Sequence, residues 1–133
     1  MNKERRLFER VETRITANCS RYQERGGSFE HLFSCTRDIS ARGARLIVPR
    51  EVRVGEQVLL HLDLPTCLIG VLAGCEVAWV RRKNISLDEK KEKEVIETGV
   101  SFLNMDRGDS EKLKNFLGEV RKKDMTVVDS VPV

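Results

Sequence analysis

Aromatic residues make up only 5% of the 133-residue chain, with one tryptophan and one tyrosine. Small barrels that bind RNA or single-stranded DNA stack bases on aromatics along a strand face, so nucleic acid is not the expected partner. The net charge of +3 is also too small to argue for it. Cysteine is sparse: Cys19, Cys35, Cys67 and Cys75 form no CxxC pair, and His31 and His61 are the only histidines. That spacing offers no zinc site. No apolar run approaches the ~18 residues that span a bilayer, and the start MNKERRLFER lacks the apolar segment of a secretory signal. A cytoplasmic protein without membrane insertion is expected. Gly-x-Ser-x-Gly, HExxH and a glycine-rich phosphate loop before a helix are all missing. The expectation is a protein that is not an enzyme and carries no cofactor.

What is present is alternation. About 40% of residues are apolar and 34% charged, which suits one globular domain with a modest core. Val11, Thr13, Ile15, Ala17 and Cys19 share one face of a first strand. A Gly26-Gly27 turn leads to a second strand over about 29–38 and a third over about 44–48, stopped by Pro49. Val58, Leu60, Leu62 and Leu64 alternate with Leu59, His61 and Asp63, the clearest period of two in the chain. A long strand over about 68–82 places Val71, Ala73, Cys75, Val77 and Trp79 on one face, with Gly70 and Gly74 marking bends or bulges. The charged stretch 83–93 is expected to be a mobile connection. A last strand over about 95–103 presents Ile96, Thr98, Val100 and Phe102.

Asp109 and Ser110 read as a helix cap, with Glu111 in the first turn and Arg121, Lys122 and Lys123 in the last. Leu113, Phe116, Leu117 and Val120 form an apolar stripe that should cover a barrel end. That stripe, or Leu59, is also the ground for a possible homodimer. The pattern predicts an all-β fold with a terminal helix: residues 1–10 as a flexible arm, 11–123 as a small antiparallel barrel plus helix, and 124–133 as a frayed tail.

The stretch RDISARGARL, Arg37 to Leu46, is denser in charge than a plain hairpin needs. An Asx or Ser turn explains Asp38, Ser40 and Gly43 but leaves Arg37, Arg42 and Arg45 unused. Arginine offers a planar fork matched to phosphate or to the guanine O6/N7 edge. Asp38 can accept from paired donors such as guanine N1–H and N2–H₂. Arg6 and Arg10 lie four apart before the first strand, a spacing that in a helical segment puts both on one side.

Arg6-Leu-Phe-Glu-Arg10 followed by Asp38-Ile-Ser-Ala-Arg-Gly43 resembles the two-part signature of PilZ domains, RxxxR and then (D/N)xSxxG about thirty residues on. The resemblance extends over Val54–Leu60, Glu76–Val80, Thr98–Phe102 and the closing helix. It implies a six-stranded antiparallel β-barrel closed by a C-terminal helix. It also implies a bacterial receptor for cyclic di-GMP, bound through Arg6, Arg10, Asp38, Ser40 and Gly43, with Arg5, Arg37 and Arg42 as further candidates. Arg42 stands where the family often has a small residue. The receptor would signal through arm closure to an unidentified downstream protein. The alternative is a PilZ-type adaptor that works without nucleotide.

Overall fold

The computed structural model describes residues 10–23 and 26–130. Its strands are β1 (Val11–Glu12), β2 (Thr16–Gln23), β3 (Ser28–Ile39), β4 (Gly43–Val48), β5 (Gln57–Leu62), β6 (Val71–Asp88) and β7 (Lys91–Met105), followed by one helix, α1 (Arg107–Ser130). All pairings are antiparallel. The sheet runs β1-β3-β2-β5-β6-β7-β4, and a β3–β4 pairing closes it into a six-stranded barrel with β1 as an extra strand. This is the expected barrel with its C-terminal helix.

Alternation fixes which side chains face inward. Leu32, Ile39, Leu46, Leu60, Leu62 and Val77 are each at most 2% exposed in the core. Leu113, Phe116 and Leu117 of α1 are buried against it, with Val120 partly so. The helical stripe therefore covers the barrel, and it is not available as a dimer surface. Gly26 and Gly27 adopt φ of 92° and 60°, which lets the β2–β3 connection turn tightly. Among the described residues no helix is long and apolar enough to cross a membrane.

Several expectations need correction. The first strand is split at residues 13–15, where the Thr36 hydroxyl donates to the Thr13 carbonyl and accepts from the Ile15 amide, while the Thr13 amide still donates to the Arg37 carbonyl and the Ile15 carbonyl still accepts from the Thr36 amide. The stretch 83–93 is not a mobile connection but a β-hairpin that carries β6 and β7 beyond the barrel. Asn84 pairs with Glu94 and Ile85 with Lys93, while Arg82 bridges Glu94 at 2.6 Å and Glu51 at 3.0 Å. Opposite charges across strands support pairing, and such pairs are invisible until register is known. Trp79 leaves the core face because the ladder slips between Val77 and Trp79. The helix starts at Arg107 and is capped by Asp106, whose Oδ2 accepts from the Gly108 amide at 3.1 Å. Asp109 instead accepts from the Leu72 amide at 3.2 Å, tying α1 to β6. Continuing to Ser130, the helix has no basic residue in its last turn and runs through most of the stretch expected to be a frayed tail.

Candidate anion-binding face

One cross-strand row organises the outer face of β3, β4, β7 and β6. Asp38 pairs with Arg45, Arg45 with Gly99, and Gly99 with Trp79. A Cβ on Gly99 would fall 2.2 Å from the Trp79 Nε1. The glycine therefore makes room for the indole to lie across β7. The Arg81 guanidinium sits 5.2 Å from the Trp79 ring centroid, within cation–π range.

The next row carries Glu97, 0% exposed although it faces outward from the barrel. Arginines cover it. Arg81 donates through Nε at 3.0 Å and Nη2 at 2.6 Å, Arg37 through Nη1 at 2.8 Å, and Arg45 lies 3.9 Å away. Burial alone would raise the Glu97 carboxyl. The Arg81 and Arg37 hydrogen bonds outweigh it and hold the group below its ordinary value.

Asp38, 5% exposed, receives Arg45 Nη2 at 2.6 Å on Oδ2, and Arg10 Nη1 stands 3.8 Å from Oδ1. Asp38 Oδ1 and Arg45 Nε are buried without a hydrogen-bond partner among the described residues. The other such atom, Asn18 Oδ1, is on the far wall of the barrel. An unpaired buried acceptor beside an unpaired donor costs free energy in the empty protein. A ligand with its own donors and acceptors would relieve that cost.

The predicted residues are thus partly brought together. Arg10, Asp38, Arg37 and Arg45 converge, and Arg37 and Arg45 are engaged by carboxylates rather than idle. Arg5 and Arg6 lie outside the described residues. Ser40 is buried in its own turn: its amide donates to the Gly43 carbonyl at 2.8 Å and its hydroxyl accepts from the Arg42 amide at 3.2 Å. The exposed Arg42 follows, with its carbonyl held by the Phe102 amide at 2.7 Å.

Gly43 has a structural reason of its own. A Cβ there would lie 2.3 Å from the Val100 carbonyl oxygen, a backbone atom that cannot step aside. Gly43→Ala should therefore destabilise the fold by about 1–3 kcal/mol, read as a lower urea midpoint.

Sequence reasoning missed Glu97, Arg81 and Trp79. For Trp79 a signal existed, since an isolated glycine in a strand such as Gly99 marks close approach by another group. For Glu97 none did, because its burial comes from arginines on three other strands.

The PilZ domain family model matches residues 4–119. No curated protein matches the chain in sequence. Among solved structures, the chain resembles the PilZ domain with c-di-GMP of YcgR from Escherichia coli, at 14% identity and TM-score 0.67, over 96% of this chain and 99% of that one. It resembles MrkH, a c-di-GMP-dependent transcription regulatory factor, at 14% identity and TM-score 0.64, over 85% of this chain and 49% of MrkH. It also resembles the Bacillus subtilis inhibitor of motility MotI/DgrA, at 18% identity and TM-score 0.60, over 92% of this chain and 52% of that one. The chain therefore spans about half the length of the last two. With a family match over most of its length and the same barrel and closing helix, the chain belongs to the PilZ domain family.

Proposed function

We propose that this protein is a receptor for cyclic di-GMP, bound on the arginine-rich face and acting without catalysis. The observation that carries the reading is the Asp38–Arg45 pair, with an unpartnered buried acceptor and donor next to Arg10. Cyclic di-GMP brings two phosphate charges and two guanines. Asp38 Oδ1 accepts from the guanine N1–H and N2–H₂ edge. Arg10 and Arg6 take phosphate oxygens, the guanine O6/N7 edge or a guanine face. Ser40 fixes the turn that presents Asp38, and Arg37, Arg42 and Arg5 add positive potential. Trp79 and Arg81 wall the far side of the same face.

The segment from Lys3 to Val11 closes over the bound ligand and makes a new surface for a downstream protein in the cytoplasm. Closing a segment over a ligand costs conformational entropy, so the ligand must make many contacts to offset it.

Titration calorimetry of the full chain with cyclic di-GMP, with GTP as control, tests this reading. Saturable heat for cyclic di-GMP alone is expected, with a parallel change in fluorescence from the single tryptophan, Trp79. Absence of both signals would sink the receptor reading and leave an adaptor that works without nucleotide. That alternative draws on the same structure, because Glu97 and Asp38 already neutralise much of the arginine cluster.

A further inference from the structure

The wall opposite the arginine face, built around β2 and β5, is unusual in a chain that is 34% charged. One outward row crosses β3, β2, β5 and β6 as Phe33, Asn18, His61 and Leu72. The next crosses five strands as His31, Ser20, Leu59, Gly74 and Asn104. Phe29 and Tyr22 pair beyond it, with ring centroids 5.6 Å apart. None of these positions holds Asp, Glu, Lys or Arg.

The wall is also apolar. Phe33 is 75% exposed, and Tyr22 and Phe29 are more than half exposed. A shallow groove of about 270 Å³ lies among Tyr22, Phe29, Leu59 and Leu103. At ~150–250 Å² for a whole aromatic side chain, the three aromatics with Leu59, Leu72 and Leu103 expose on the order of 600 Å² of apolar surface. That is the upper end of the ~300–600 Å² found for the largest patch on a typical monomer. The exposed His31 and Asn104 and the half-buried Asn18 and His61 between them bring the wall toward the ~800 Å² that each partner gives to a standard interface.

We propose that this wall is a self-association surface, through which the protein pairs with a second copy of itself. A two-fold pair sets the same patch against itself. Any charged residue near the axis would then face its own copy, and this wall has none in its paired rows. A foreign protein partner is commonly selected by charge complementarity, and this wall offers no charge to complement. Charge depletion with aromatic enrichment is the composition of an interface core. Pairing here leaves the arginine face on the far side open to solvent, so the proposal stands independently of the receptor reading.

Sedimentation of the full chain from low to high micromolar concentration tests it. The mass is expected to rise from 15.2 kDa toward twice that value. Phe33→Lys with Leu59→Lys places like charges across the two-fold and should weaken pairing at least about a hundredfold. Val54→Lys, at an exposed turn position outside the wall, should leave pairing unchanged. Thermal melts of both variants check that the fold is intact. A wild-type chain that stays at 15.2 kDa across the range overturns the proposal. So does a dimer that survives the double substitution in a folded protein, or one that Val54→Lys dissociates equally.

Discussion

Replacing Glu97 by alanine should destabilise the fold by about 3 kcal/mol, the lower end of what breaking a buried ion pair costs. The carboxylate is 0% exposed and holds Arg37, Arg81 and Arg45 around one point. Without it, the guanidiniums repel and their desolvation goes uncompensated. The estimate sits at the lower end because Arg81, with its side chain 54% exposed, can turn toward water. Arg37 and Arg45, at 25% and 28%, are more confined. Urea unfolding of wild type, Glu97→Ala and Glu97→Gln measures this, with glutamine expected between the other two because it keeps the shape and an acceptor. The pH dependence has a definite sign. A carboxyl held below its ordinary value of 4.5 stabilises the fold above that pH and loses the effect as pH falls through the depressed value. The acid limb of the wild-type stability curve should flatten in Glu97→Gln. A cost under about 1 kcal/mol in Glu97→Ala would instead mean that the arginines resolvate freely and that the cluster is an ordinary surface network.

Glu97 also marks the limit of what the sequence discloses. Period-two alternation placed Val58, Leu60 and Leu62 correctly inside, because each residue's own chemistry agrees with the face it occupies. The helical stripe from Leu113 to Leu117 was legible for the same reason. Glu97 was not, since its neighbours on the chain say nothing of Arg37, 60 residues away. The 83–93 hairpin was hidden likewise: its charges look solvated one by one, and only register sets Arg82 against Glu94. Unbroken alternation puts Trp79 on the same face as Val71 and Val77, and a one-residue slip in the β6–β7 ladder turns it outward. On the site itself, Arg10, Asp38, Ser40 and Gly43 were visible as a motif. Two of them do work the motif does not announce, since Ser40 braces its own turn and Gly43 admits the Val100 carbonyl.

The complementary experiment separates ligand binding from architecture. Arg6→Ala combined with Arg10→Ala should reduce affinity for cyclic di-GMP by about a hundredfold or more, since each bidentate contact contributes ~1–3 kcal/mol. The melting temperature should barely move. The Arg10 side chain is 59% exposed and its approach to Asp38 is 3.8 Å, a surface pair whose worth is about 0–1 kcal/mol. Asp38→Ala provides the contrast, because it removes the acceptor offered to guanine and also strands Arg45, so affinity and stability should fall together. Calorimetry and thermal melts on the same samples read both quantities. Affinity lost with the melt in place would assign Arg6 and Arg10 to the ligand rather than to the fold. Unchanged affinity in the double variant would show that the inner arginines, Arg37, Arg45 and Arg81, suffice for binding, and that the RxxxR segment serves the partner rather than the nucleotide.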